Sequence, residues 1–547
     1  MKRVATLDAA WLVVESEDTP MHVGNLMIFS LPEGASDTFL RDMVARMKSC
    51  SDIEPPWLYR LASDSLWGRV VAPYWRTART MDLDYHVRHS ALPRPGSERE
   101  LGVLVQRLHS HPLDFSRPLW ECHIIEGLEN GRFALYTKMH HSLIDGISGV
   151  RLLQRMLSKD PHEVNMRPPW TVRPSSRPRK SNPLPSMQGA FSEALEALKV
   201  QASSTPKLVK ALTRLVQAGG DNPNESLSAP FSGPQSVLNN RVTGQRRLAT
   251  QQYSLDRLKA IAKAAGASLN DVVLFLCGSA LRRFLIEQNS LPEEPLTAGI
   301  PVNIRPADDE GTGTAISFMI ASLATNEADP EKRLEAVMRS TREAKAHLQT
   351  LPRSALNQYT ILMMSPYILQ LMTGLGGRMR PVFNVTISNV PGPEDTLYYE
   401  GARLEAMYPV SLIAHGGALN ITCVSYAGSL NFGFTGCRDT LPSMQRLAVY
   451  TGEMLDELEA TVLPGTRSAT RAPAGKSNGK TPPGAKASES AAKKAPTRKT
   501  ATRKPAAKKP AAGKAGARAK AKAPAGRKAG AGKSPSAGAS TASGSGS

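Results

Sequence analysis

The chain has 547 residues but few cysteines and no long apolar run. Its five cysteines, Cys50, Cys122, Cys277, Cys423 and Cys437, lie far apart and form no CxxC pair. That argues against a disulfide framework and a cysteine-based zinc site, and it suits a reducing compartment. No run of about 18 apolar residues is present to span a bilayer. The richest apolar stretch, Ile361 to Leu375, is short and contains Pro366 and Gln370. The first twenty residues carry two basic side chains and a short apolar run that ends in acids, unlike a secretory signal. A cytoplasmic protein is expected, with a peripheral place on the inner membrane or on lipid inclusions open to it.

Acid is nearly absent from one end. Between Arg467 and Ser547, 20 Lys and Arg face the single acid Glu489, so this tail holds +19 of the formal +20. The remainder of the chain is close to neutral. The tail has no aromatic or large aliphatic residue, so it cannot bury enough apolar surface to offset ordering entropy, and disorder is expected. Such a tail binds dense polyanions in a salt-dependent way: an anionic membrane or lipid-inclusion surface, or DNA. A purely solubilising tail is the plain alternative.

What is present is a body of about 460 residues, more than one ordinary core supports, so two domains are expected. The composition shifts divide the chain into residues 1–160, a Pro-rich linker with crossover helices at 161–240, a second domain at 241–465, and the tail at 466–547. The patterns are mixed α/β in both halves. Strands are expected at 120–125, 132–139, 296–302, 382–387, 420–426 and 429–435, the last two joined at Gly428. Helices are expected at 39–47, 150–157, 255–264, 268–285 with Ser268 as N-cap, and 441–462. Two amphipathic patterns, Phe191 to Leu198 and Leu208 to Leu215, follow the Pro-rich stretch.

One segment concentrates chemistry: Tyr136 to Gly149, whose centre is His140-His141-Ser142-Leu143-Ile144-Asp145-Gly146. Phe133 to Met139 alternates as a strand, and Gly146 and Gly149 break it before a helix. Histidines at a strand end occupy the usual place of active sites in α/β folds. A neutral imidazole is the best general base for a hydroxyl near pH 7. Asp145 stands where an acid orients the imidazole or locks the loop, and Gly146 permits a tight turn. The other readings are a structural His pair and a metal site. Metal needs a third ligand, and adjacent residues of an extended strand point in opposite directions.

His140 to Gly146 resembles the HHxxxDG signature of the CoA-dependent acyltransferases. Further segments resemble, in order, the bacterial wax ester synthase/diacylglycerol acyltransferase family: Leu7-Asp8 to Trp11, Pro20 to Gly24, Asp84 to Arg88, Pro118-Leu119-Trp120, Asn270-Asp271, Pro301 to Arg305, and Ser388 to Pro393 with Asn389, Pro391 and Gly392. Together they run over about residues 4–463. The resemblance implies two chloramphenicol-acetyltransferase-like α/β domains with the active site at their interface. It implies that His141 is the general base, with His140 supporting it, Asp145 structuring the loop and Gly146 making the turn. It places Pro118, Leu119, Trp120, Asn270, Asp271, Asn389, Pro391 and Gly392 in substrate binding, with Asn270 a candidate oxyanion donor. By its physical reading alone, Trp120 suits core packing, Asn270-Asp271 suits helix capping, and the Asn389–Gly392 segment suits a turn. The implied reaction moves a long-chain acyl group from acyl-CoA, a substrate, to diacylglycerol or a fatty alcohol, with no cofactor and no metal. Two alternatives stand beside it: another acceptor for the same chemistry, and a nucleic-acid or granule tether acting through the tail.

Overall fold

The computed structural model describes residues 1–4, 6–63, 65, 68, 73–144, 146–172, 227–303, 316–351 and 353–463. Asp145, both amphipathic patterns of the linker and the basic tail lie outside them. Among the described residues the strands are β1 (Lys2–Arg3), β2 (His22–Ser30), β3 (Tyr59–Leu61), β4 (Tyr74–Thr77), β5 (Val87–Ala91), β6 (Trp120–Leu128), β7 (Arg132–His140), β8 (Arg246–Ser254), β9 (Thr297–Asn303), β10 (Ile316–Ser322), β11 (Val385–Val390), β12 (Tyr398–Tyr399), β13 (Ala402–Val410), β14 (Leu419–Tyr426) and β15 (Ser429–Cys437). They form two six-stranded sheets, ordered β12-β13-β2-β7-β6-β5 and β10-β9-β11-β14-β15-β8, and a small sheet β1-β4-β3.

Strand β7 carries the histidine pair and is buried along its length apart from Arg132. Both of its faces are covered, so its polar residues Thr137, Lys138 and His140 are buried along with its apolar ones. One face, with Ala134 and Tyr136, meets Leu101 and Val105 of the Glu98–Ser110 helix. That helix starts at a capping box: Ser97 and Glu100 satisfy each other's backbone N–H groups. The other face, with Phe133, Leu135 and Met139, meets Met43 of the Phe39–Ser49 helix and Leu153 of the Gly146–Gln154 helix.

Strands β12 and β13 belong to the second half of the sequence but complete the first sheet, β13 running antiparallel to β2. The periodicity of ARLEAMYPV conceals this strand. A bulge at Glu405 shifts the register, so that Leu404 and Met407 face one core while Ala406 and Val410 face the other. Strand β15 then passes under β13 so closely that a Cβ on Gly433 would stand 1.9 Å from Pro409 O.

The second core surrounds the Leu269–Glu287 helix, which is buried on almost every side. Ser268 caps it as expected, and Asp271 returns the bond by accepting from the Ser268 N–H. The β14–β15 hairpin turns at Ala427 and Gly428, both with positive φ. The closing helix begins at Arg446 rather than Leu441, because Ser443 holds a φ of 60° that no helix accommodates. No single described helix is long and apolar enough to cross a membrane.

A buried polar chain ties the first sheet to the second half. His22 on β2 donates through Nε2 to His109 O at 2.9 Å. His109 donates through Nε2 to Ser411 O at 3.1 Å, and its Nδ1 accepts from the Tyr136 hydroxyl at 2.7 Å. Beside it, Lys138 donates to Leu108 O and His111 O and pairs with Glu121, which also meets His123. Burial holds the His109 imidazole down to about 3 and pushes His22 well below its usual 6.5. Burial alone would raise Glu121, but its bond to His123 and the Lys138 and Arg88 charges outweigh that and bring it down to about 2.

These groups share one sign. A base or acid whose folded pKa is depressed contributes stability above its unfolded pKa and loses it as pH falls. Stability is therefore expected to be full above about pH 6.5 and to decline as pH falls toward 3, the two histidines acting first and Glu121 joining below about 4.5. Thermal melting across this range checks it. The variant His109→Gln should melt lower at neutral pH and show a flatter decline between pH 6.5 and 4.5. Parallel curves for the two proteins would refute the role of His109.

Candidate active site

The β2–β7 ladder pairs His22 with His140, and one residue further on the His141 N–H donates to Met21 O at 2.8 Å. The two histidines of the motif therefore sit where the ladder ends, on opposite faces.

His140 points into the protein and is fully buried. Its Nδ1 accepts from the Ser142 N–H at 3.1 Å, which assigns the ring proton to Nε2. Nε2 faces Glu15 Oε2 at 3.4 Å. The same Glu15 oxygen accepts the Met21 N–H. One carboxylate thus bonds the backbone stretch that receives the His141 N–H and lies against the His140 ring, whose Nε2 makes no hydrogen bond. Behind this, the His140 N–H donates to Leu119 O at 3.0 Å.

His141 turns the other way, into the wall of a cavity of about 570 Å³. Its ring lies against Trp11 with centroids 4.4 Å apart. Both halves of the chain contribute walls. Val23, Met139 and Leu153 come from the first half; Phe318, Phe383 and Val424 come from the second. The Arg353–Met372 helix adds Met364, Tyr367 and Leu371. Gly146 and Gly149 open the Gly146–Gln154 helix at this wall. A Cβ at Gly146 would meet nothing within 4 Å, so any side chain there would project into open space.

Polar groups are few in this lining and unequal in their bonding. Ser411 and Thr422 share a hydrogen bond of 2.9 Å, and the Thr422 hydroxyl donates to Asn420 Oδ1 at 2.8 Å. Asn25 on β2 is only 4% exposed, and neither its Oδ1 nor its Nδ2 has a hydrogen-bond partner. An unsatisfied buried carboxamide costs about 1–3 kcal/mol, so this position is costly to the folded chain by itself. Among the described residues no group of three His, Cys, Asp or Glu could hold a metal. All five cysteines are free, and burial pushes the Cys277 thiol up to about 12.

The residues singled out in the sequence separate into groups. His141 and Gly146 reach the cavity. His140 supports from behind. Pro118, Leu119 and Trp120 are buried beside the site rather than in its lining. The Trp120 indole donates to Trp57 O at 2.8 Å and stacks on Trp170, and Trp57 lines the cavity. Asn270 and Asp271 stand at the N-terminus of the Leu269–Glu287 helix and do not line this cavity. Asp271 accepts from the Thr341 hydroxyl at 2.6 Å, so its second role there is to pin a neighbouring helix. On β11 the alternation turns Ser388 and Val390 to the cavity and Asn389 away from it. Pro391 is exposed, and Gly392 allows close approach: a Cβ there would stand 2.1 Å from Ser425 O.

Glu15, Asn25 and Ser142 were not anticipated. Asn25 left a signal, because it occupies the inward phase of β2 shared by Val23, Met27 and Phe29. Glu15 left none, since its partner lies 125 positions away.

Comparison with known proteins matches this geometry to a family. Residues 4–273 match the wax ester synthase/diacylglycerol acyltransferase catalytic domain, and residues 312–459 match the WS/DGAT C-terminal domain. A putative diacylglycerol O-acyltransferase of Mycobacterium tuberculosis is 46% identical over 487 residues, covering 84% of this chain and 97% of its own. The O-acyltransferase WSD of Acinetobacter baylyi is 38% identical over 464 residues, covering 84% and 98%. The solved wax ester synthase/diacylglycerol acyltransferase of Marinobacter aquaeolei superposes with a TM-score of 0.68 at 37% identity, over 84% of this chain and 100% of that one. A condensation domain of the calcium-dependent antibiotic synthetase shares the fold at a TM-score of 0.51 and 16% identity, over 84% and 96%. The two sheets, the HHxxxDG strand end and the cavity between the halves are thus those of an acyltransferase fold, and the chain belongs to the wax ester synthase/diacylglycerol acyltransferase family.

Proposed function

We propose that this chain moves a long-chain acyl group from acyl-CoA to the hydroxyl of diacylglycerol or of a long-chain alcohol, with diacylglycerol favoured. The observation that carries the reading is His141 in the wall of a largely apolar cavity built by both halves. His141 takes the hydroxyl proton as the acceptor oxygen attacks the thioester carbonyl. The tetrahedral intermediate then collapses, the carbon–sulfur bond breaks, and the CoA thiolate leaves with the proton that His141 held. The ester and free CoA balance the reaction, and no covalent enzyme intermediate is involved. Apolar walls exclude water, which would otherwise compete as acceptor.

Labelled palmitoyl-CoA offered with hexadecanol and dipalmitoylglycerol side by side tests this. Both esters are expected, and His141→Ala should abolish them while melting as the wild type does. A folded His141→Ala chain with near-wild-type turnover would sink the assignment.

The favoured acceptor rests on Asn25. Diacylglycerol carries ester carbonyls besides its reacting hydroxyl, and a fatty alcohol carries none. The unpartnered Nδ2 of Asn25 is a donor for such a carbonyl in the lining of the cavity. Asn25→Ala is expected to lower the ratio of triacylglycerol to wax ester roughly tenfold, the worth of one buried hydrogen bond left unmade. An unchanged ratio removes the preference and leaves the acyl transfer intact.

We propose further that the tail holds the enzyme at an anionic membrane or lipid-inclusion surface on the cytoplasmic side. Its 20 basic residues against one acid support this. Truncation after Thr466 should preserve transfer to soluble substrates and reduce binding to anionic vesicles at low salt. Vesicle binding at low salt unchanged by the truncation refutes the tether, and loss of DNA binding alone makes nucleic acid the partner.

A further inference from the structure

Exposed apolar side chains are unevenly placed on the described surface. Of its eleven large exposed hydrophobic residues, Leu369, Met372, Leu375 and Met379 fall within eleven consecutive positions. Phe231 joins them from a distant part of the chain, because its N–H donates to Val382 O at 3.2 Å. Phe231 also holds a left-handed φ of 67°, a costly conformation for a bulky side chain. Nearly half of the exposed large apolar residues thus gather at one place, where soluble proteins usually scatter them.

The backbone beneath the patch is clamped. Arg241 donates to Gly374 O at 3.0 Å, and Arg380 donates to Gly233 O at 2.9 Å. A Cβ on Gly376 would stand 2.1 Å from His415 O, and one on Gly377 would stand 2.6 Å from Arg241 N. With its inner side seated this closely, the turn cannot fold its apolar side chains inward.

Two more features say what covers the patch. First, it is continuous with the cavity: Met372 is both exposed and part of the lining, next to Ile368 and Leu371. A second protein copy bound here would close that opening. Second, its charged rim is cationic. Arg241 and Arg378 are exposed, while Glu294 is paired with Arg380 at 2.7 Å.

We propose that the Leu369–Met379 segment, with Phe231, docks in the headgroup–acyl boundary of a phospholipid membrane, and that the lipid acceptor passes from there into the cavity beside Met372. This rests on the lipid-acceptor reading above. Apolar side chains enter the boundary while the arginines meet phosphate. The contact belongs to the folded body and is separate from any attraction by the tail.

Flotation of the full chain with vesicles of phosphatidylcholine and a minor share of phosphatidylglycerol decides it. Salt of about 0.5 M screens the tail and leaves apolar insertion. The wild type should still float, and the double variant Leu375→Glu/Met379→Glu should bind at least about tenfold more weakly. Both proteins should transfer acyl groups equally to a short water-soluble alcohol from a short acyl-CoA. A wild type that stays behind, or a variant that floats as well as the wild type, overturns the proposal. A wild type that elutes as a dimer where the variant elutes as a monomer assigns the patch to self-association and also overturns it. The acyltransferase reading stands or falls on the palmitoyl-CoA assay above, and flotation decides the docking independently of it.

Discussion

The antiparallel ladder between β2 and β13 is the constraint on which the rest depends. It inserts a strand from the second half of the chain into the first sheet, beside the strand that pairs with the histidine-bearing β7. Because of it, the loop leaving β13 delivers Ser411 and Leu412 to the cavity, and the floor of the first sheet becomes continuous with the wall of the second. The Gly433 backbone seats against Pro409, so the two sheets approach closely at this point.

The placement of polar groups follows from this frame. Behind β7, where no ligand reaches, buried imidazoles, a lysine and a carboxylate are fitted to partners, as burial of polar groups requires. In front of β7, Asn25 has none. The faces differ in degree: behind β7 every side chain of the cluster has at least one partner, although His22 Nδ1 and His123 Nδ1 have none, whereas both polar atoms of Asn25 are unpaired.

Much of the frame was legible in the sequence. Alternation marked β7, β14 and β15, turn chemistry marked Gly428, and the N-cap at Ser268 marked the central helix of the second core. The motif order identified the family that the comparisons show. The parts that were not legible have physical causes. The bulge at Glu405 broke the period by which β13 would have been recognised. Of the Asn270-Asp271 pair, the capping reading is what Asp271 displays in its bonds to Ser268 and Thr341. Trp120 shows the same: its plain reading as core packing is what its stacking on Trp170 displays.

By itself the sequence determined the chemical identity of the site: which strand ends in two histidines and that they face opposite ways; it also showed that nearly all of the net positive charge lies in the last eighty or so residues. These are local properties, set by the two-residue period of a strand and by composition. The tertiary structure alone decided that His141 looks into a chamber, that Glu15 steadies the loop, that Asn25 stays unpaired, and that apolar residues gather at the mouth beside Met372. Each of these depends on which distant segments become neighbours. That choice is made by the summed burial of many weak contacts rather than by any residue's own preference.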